Sequence, residues 1–267
     1  MFPSKNRKFQ MDSGFTDKVV VVTGATKGIG RATAIAFAKE GASILVTGRT
    51  VGELDAVSKI ITGLGSKVVS VKADLSKEES IEKISKTALD EFGHVDILVN
   101  NAAIIHKSQN LVDFDTDVLN LVFRVNLLSS VLLTKALLPS MIQRRYGKII
   151  NISSIGGKRG AKGRSAYRMT KAALINFTES IAAEVNPYGI CVNCICPGGT
   201  DTEGFRSAFN ISSAEENSHL MKPEEISNLI LFLSSEKASS LTGTAIEAYG
   251  QTNPIFDSDP STGKPNN

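Results

Sequence analysis

The chain has 267 residues, 42% of them hydrophobic and 21% charged, with a net charge of +3. That balance reads as a soluble globular protein long enough to bury a large core, and the small charge, partly from Lys5, Arg7 and Lys8, makes no case for nucleic acid or a membrane surface. No apolar run reaches membrane-spanning length, and the opening MFPSKNRKFQMDSG lacks an apolar signal core, so the expected compartment is the cytoplasm.

Residues 1–16 are polar and without a period, which reads as a mobile tail; 17–252 read as one domain and 253–267 as a second polar tail. Val19 to Val22 form a short apolar run that suits a buried parallel strand. The turn TGATKGIG follows, and then an alanine-rich helix with Ala34, Phe37 and Ala38 on one face, ending at Gly41. Strand, glycine turn and helix in that order make a nucleotide site. Gly24, Gly28 and Gly30 let the backbone approach a pyrophosphate, and the N-terminus of the following helix offers N–H donors. The spacing is G-x-x-x-G-x-G rather than G-x-G-x-x-G.

Ala42 to Thr47 read as the second strand. It leads to Arg49, where many dinucleotide folds carry the acid that binds the ribose hydroxyls. Arg49 and Lys27, converging on the adenosine ribose, would attract a 2′-phosphate, which favours NADP(H) and leaves NAD(H) possible. Leu54, Val57, Ile60, Ile61 and Leu64 predict a helix face. Lys67 to Val71 predict a third strand, after which Asp74 either meets an adenine amino group or, with Ser76, caps the next helix. Ile81, Ile84, Ala88 and Phe92 mark that helix. Val95 to Asn100 read as strand four.

A long apolar helix is expected from Phe114 to Arg145, with Asn126 in its middle either bending it or holding a polar partner. Lys148 to Ile152 read as strand five, and Tyr167 to Val185 as a helix with Leu174, Phe177, Ile181 and Val185 inward. Ile190 to Cys196 read as strand six. Its CVNCIC places Cys191 on the face opposite Cys194 and Cys196, which favours buried strand cysteines over a metal site. Residues 203–222 suggest a loop or short helical lid, Pro223 opens a further helix, and Thr244 to Tyr249 form a last strand. Alternating strands and helices imply an α/β fold, a doubly wound parallel sheet with helices on both faces, whose ligands bind beyond the strand C-termini.

The stretch NISSIGGKRGAKGRSAYRMTK carries the chemistry. Tyr167 and Lys171 are four apart, on one helical face. A free tyrosine has a pKa of about 10, and a neighbouring ammonium favours the phenolate; a three-unit shift corresponds to roughly 4 kcal/mol. Ser154, at the end of a strand, can donate to a substrate oxygen. The trio suits proton transfer at an alcohol or carbonyl oxygen and not acyl transfer, since no histidine lies nearby in sequence to activate the serine. Lys158, Arg159, Lys162 and Arg164 read as a solvated loop or as an attraction for an anionic substrate.

Together TGATKGIG, ADL at Asp74, NNAA at Asn100, VNL at Asn126, Ser154, YRMTK at Tyr167 and PGGTDT at Pro197 resemble the short-chain dehydrogenases/reductases of about 250 residues, over roughly Lys18 to Gly250. The resemblance implies a Rossmann-type sheet of seven strands, a nicotinamide cofactor, a small-molecule substrate and a homodimer or homotetramer. It implies Tyr167 as acid/base, Lys171 on the nicotinamide ribose, Ser154 polarising the carbonyl and Asn126 holding a water in a proton relay. It further implies cofactor contacts from Gly24, Thr26, Lys27, Gly28, Ile29, Gly30, Arg49, Asp74, Leu75, Asn100, Ala102, Tyr167, Lys171, Pro197, Gly198, Thr200 and Thr202. The chain departs from the family pattern in Ala103 where glycine is common, in IEAYGQ near its end, and in Tyr188 where reductases acting on acyl carrier protein often carry arginine; Arg144 and Arg145 remain candidates for an acidic partner. The expected activity is NADPH-dependent carbonyl reduction. An NAD-dependent secondary alcohol, steroid or sugar dehydrogenase is the alternative, and a catalytically silent nucleotide sensor the third reading.

Overall fold

Seven parallel strands order themselves β3-β2-β1-β4-β5-β6-β7 in the computed structural model, which describes residues 14–211 and 219–250. The strands are β1 (Val19–Val22), β2 (Ser43–Gly48), β3 (Val68–Lys72), β4 (Ile97–Asn100), β5 (Gly147–Ile152), β6 (Ile190–Pro197) and β7 (Ala245–Ala248). β-Branched and leucine side chains alternate between two apolar layers. Val20, Val22, Ile44 and Val46 face one layer with Phe37 and Ile230, while Val21, Leu45 and Leu98 face the other with Leu133 and Leu137. A sheet buried on both faces needs such runs rather than alternating polarity. The helices α1 (Gly28–Lys39), α2 (Val51–Gly63) and α8 (Pro223–Ser234) supply the first layer, and α3 (Glu78–Phe92), α5 (Ser129–Arg144) and α6 (Ser165–Val185) the second. Two shorter helices, α4 (Thr116–Phe123) and α7 (Glu203–Phe209), complete the chain. β1 pairs with β2 on one side and β4 on the other, so the winding reverses there and a crevice opens beyond the strand C-termini. The expected single three-layer α/β/α domain is what the chain forms.

Several local expectations change. The expected tails fall outside the described residues except at their edge, where Phe15 is core: it is 3% exposed and meets Phe37 edge-on with ring centroids 5.1 Å apart. On α2, Leu54, Val57 and Ile61 face inward, but Ile60 and Leu64 are exposed because they lie beyond the narrow stripe that touches the sheet. On α6, Leu174 and Val185 are buried as expected and Ile181 packs half-buried against the core, while Thr178 and Ala182 are buried rather than Phe177. Arg144 and Arg145 do not await a partner, since Arg144 pairs with the buried Asp96 at 2.8 Å and Arg145 donates to the Pro187 carbonyl.

The long helix forms as expected, with a local change in its middle. α4 and α5 are continuous through a π turn at Arg124–Leu128, giving a 29-residue helix, Thr116–Arg144, with an apolar window averaging 1.6 in hydropathy. By length and composition alone it would suffice to cross a membrane, although Arg124 and Lys135 interrupt it and no uninterrupted apolar run reaches that length. Here Leu133, Leu137 and Met141 pack it onto the sheet. The π turn surrounds Asn126, so the asparagine does mark a local widening of the helix.

Candidate active site

A cavity of about 790 Å³ occupies the crevice. One end is the glycine turn. Gly24 and Gly28 take positive φ of 63° and 51°, and a Cβ on Gly28 would lie 2.9 Å from the Thr202 methyl. Gly30 lies beneath the turn, where a Cβ would stand 2.3 Å from the Gly24 carbonyl oxygen; it lets α1 seat against the turn and does not border the cavity. α1 starts with no acidic residue in its first turn and no side-chain cap, so its N-terminal N–H groups remain available to an anion. Thr26, Lys27, Ile29, Arg49, Asp74, Leu75, Ala102, Pro197, Gly198, Thr200 and Thr202 also border the cavity, Thr202 lying against Gly28. Asp74 caps no helix: its Oδ1 accepts from the Ser76 N–H and hydroxyl, and those bonds hold its carboxyl below the usual range.

Asn100 does not reach the cavity. As the last residue of β4 its side chain points into the layer, donating to Thr134 Oγ1 and to Asn151 Oδ1 at 2.9 Å. The next residue, Asn101, borders the cavity instead, and its Nδ2 donates to the Thr23 and Gly24 carbonyls, fixing the turn. Strand alternation, extended by one residue past β4, was the available signal for this exchange.

At the other end Ser154 follows β5, and Tyr167 and Lys171 rise from the first turns of α6; all three border the cavity. The Ser154 hydroxyl lies beside the Tyr167 phenol, where it favours the phenolate, and accepts from the Gly156 N–H at 3.0 Å. Lys171 is 2% exposed, and its Nζ donates to the Ile152 carbonyl at 2.7 Å. Asn126 sits behind this group. Its Oδ1 accepts from the Ile104 N–H at 2.7 Å, while its Nδ2 donates to the Ile104 carbonyl and to Thr170 Oγ1. The structure thus brings the four expected residues to one place, three on the cavity wall and Asn126 one layer behind.

Residues 18–211 match the family profile described as short chain dehydrogenase. The chain belongs to the short-chain dehydrogenase/reductase family. It is 38% identical over 250 residues to the 3-oxoacyl-(acyl-carrier-protein) reductase FabG of Aquifex aeolicus (strain VF5), covering 90% of this chain and 99% of the relative. To the dehydrogenase/reductase SDR family member 6 of Danio rerio it is 36% identical, covering 86% and 94%. Among solved structures it resembles levodione reductase, with a TM-score of 0.84, 29% identity and coverage of 88% and 97%. It also resembles the 3-ketoacyl-(acyl-carrier-protein) reductase of Brucella melitensis complexed with NADH, with a TM-score of 0.82, 30% identity and coverage of 90% and 100%. Like its family, the chain is an NAD(P)-dependent oxidoreductase acting on CH–OH or carbonyl groups.

For a short-chain dehydrogenase/reductase, the charge pattern of the site departs from the sequence reading in two ways. Tyr167 is not lowered by Lys171. Burial holds its phenol above the ordinary value, opposed by the Ser154 hydroxyl and the charges of Arg168 and Arg164. Lys171 itself is pushed down to about 8 by burial. Lys27 is not a free cation: its Nζ lies 3.0 Å from Glu53 and 2.8 Å from Glu203, which raise its pKa.

His106 was not singled out from sequence. It is buried, with Nδ1 2.7 Å from the Lys107 carbonyl and Nε2 3.3 Å from the Tyr167 backbone N–H. A carbonyl only accepts and an N–H only donates, so the ring carries its proton on Nδ1 and caps α6 beside Tyr167. The only sequence hint was a lone histidine in a loop six residues after Asn100.

Proposed function

We propose that the protein reduces a small carbonyl compound to an alcohol with NADPH, and that the same site runs the reverse oxidation. The observation that carries the reading is Ser154, Tyr167 and Lys171 gathered on the wall of one cavity, with Lys171 buried. The residues fit a nicotinamide dinucleotide: the glycine cradle has no room for side chains, and the uncapped start of α1 suits a pyrophosphate. Gly24, Thr26, Gly28 and Ile29 would hold the pyrophosphate, Arg49 and Lys27 the adenosine ribose, Asp74 and Leu75 the adenine. Ala102, Lys171, Pro197, Gly198, Thr200 and Thr202 would hold the nicotinamide end. When bound, the cofactor supplies or accepts the hydride. Ser154 then donates to the substrate oxygen, and Tyr167 transfers the proton to it. A phenol held protonated by burial is loaded for that direction. Lys171 and Asn126 would return the proton from solvent, with Asn126 holding a water on that path.

A second reading, NAD-dependent oxidation, is favoured by one observation. Glu53 and Glu203 already neutralise Lys27, so Arg49 alone remains for a 2′-phosphate. Arg49→Asp separates the two readings: loss of NADPH preference supports the first, and no change in the NADPH-to-NADH ratio removes it. Tyr167→Phe should abolish turnover while cofactor binding persists; full activity in that variant would overturn the role of the tyrosine. The proposed working form is a cytoplasmic homodimer or homotetramer, for which the exposed Leu128 on the long helix offers apolar surface; light scattering reads its mass.

A further inference from the structure

Arg164 and Arg168 stand one helical turn apart at the start of α6, on either side of Tyr167 in sequence, and both border the cavity. Neither has a carboxylate within 4 Å among the described residues. Their hydrogen bonds go only to neutral carbonyls. Arg164 donates to His106 and, at 2.9 Å, to Ala208, with its guanidinium 4.4 Å from the Phe209 ring centroid; Arg168 donates to Arg159. These bonds use two of the five N–H donors of Arg164 and one of Arg168. No acid occupies the first turn of α6, so the positive end of a 21-residue helix adds to the same field. Burial and the like charge of Arg168 both disfavour the Arg164 cation. Two half-buried cations that repel each other, with no acid beside them among the described residues, are costly to keep. An anion seated between them would remove that cost.

We propose that the substrate is an anion: a carbonyl compound, or the matching alcohol, with a carboxylate or phosphate a few bonds from the reacting carbon, held by Arg164 and Arg168. Leu121, Val125 and Phe205 on the facing walls suit a short apolar body between the two polar ends. This deepens the reductase reading and rests on it. The positions also explain the spacing: the anion site and the Tyr167 phenol lie within about one helical turn, some 5 Å along the axis, so long neutral ketones would leave the guanidiniums unmatched.

The test compares matched pairs on the whole enzyme. A short 3-oxo acid is set against its methyl ester, and a keto-alcohol phosphate against its dephosphorylated form, with kcat/KM measured for each. The wild type should favour at least one anion over its neutral partner by about ten-fold or more, since charge-assisted bonds to guanidinium are strong. The member of the pair that gains identifies carboxylate or phosphate. In Arg168→Gln, and in Arg164→Lys with Arg168→Gln, that ratio should fall toward one. Calorimetry of the 3-hydroxy acid and its amide, and of a hydroxyalkyl phosphate and its parent diol, on the NADP⁺-loaded enzyme gives the same comparison without turnover. Tyr167-dependent reduction of the neutral ketones with no anion preference overturns this inference and leaves the reductase reading standing. Arginine-dependent binding of an acid or phosphate without any reduction does the reverse. Equal binding of anion and neutral partner in both pairs overturns the anion site.

Discussion

Lys171 is the residue whose burial makes the sharpest quantitative demand. Its pKa falls from 10.5 to about 8 on folding because the ammonium leaves water, and the side chain is 2% exposed. The unfolded chain therefore binds the proton more tightly. Below pH 8 the lysine is charged in both states and the folded protein bears the full penalty, about 3 kcal/mol at pH 7 for a shift of this size. As pH rises through 8 toward 10.5 the folded lysine is neutral while the unfolded one is still losing its charge, so the penalty shrinks, to about 1.5 kcal/mol at pH 9.5. Lys171→Met removes this dependence. Its lost bond to the Ile152 carbonyl adds an offset, but one that changes little with pH. The stability difference, variant minus wild type, should therefore move by about 2 kcal/mol against the variant between pH 7 and pH 9.5. Urea unfolding of both cofactor-free proteins across that range measures it, and groups such as Tyr167 that titrate in both proteins cancel. A difference flat with pH, or one moving in the variant's favour, would refute the burial argument. The variant should have no turnover at any pH, which would make Lys171 a group kept for chemistry at the expense of stability.

Gly30→Ala should weaken cofactor binding at least ten-fold, since its Cβ would lie 2.3 Å from the Gly24 carbonyl and 2.4 Å from Asn101 Nδ2; a fluorescence titration with NADPH checks it, and overpacking should cost about 1–3 kcal/mol of stability. Glu203→Gln frees one side of Lys27 and should raise the NADPH-to-NADH ratio of kcat/KM by a factor of about two to five, the scale of an exposed ion pair. His106→Leu leaves the Tyr167 N–H without its acceptor and should lower kcat about ten-fold, the scale of an unsatisfied buried donor, with cofactor affinity unchanged. Recovery of kcat in His106→Asn would support a capping role.

The site was legible where chemistry depends on local spacing. The glycine turn, the Tyr167–Lys171 pair and Ser154 at a strand end each follow from a few neighbouring residues, and each lies on the cavity. What misled was burial at Tyr167 and a long-range partner elsewhere. Lys27 looked free because Glu53 and Glu203 are 26 and 176 residues away in sequence. Asn100 looked like the ligand residue because nothing local says that Asn151 takes its amide. The long helix through Asn126 was legible from its apolar pattern, but which side packs on the sheet, through Leu133, Leu137 and Met141, was decided by the fold.

The sequence by itself determined the strand and helix order, the parallel doubly wound sheet and the three side chains at its C-terminal edge. These rest on hydrophobic period and on glycines where no side chain fits, both local properties of the chain. Only the tertiary structure decided the charge state of the site. Burial, not the neighbouring lysine, governs Tyr167; two distant glutamates govern Lys27; and Arg164 is held by the His106 and Ala208 carbonyls with no acid beside it among the described residues. The energy of a charge depends on how much water the fold removes and which charges it brings within a few ångströms, and neither is a property of sequence neighbours.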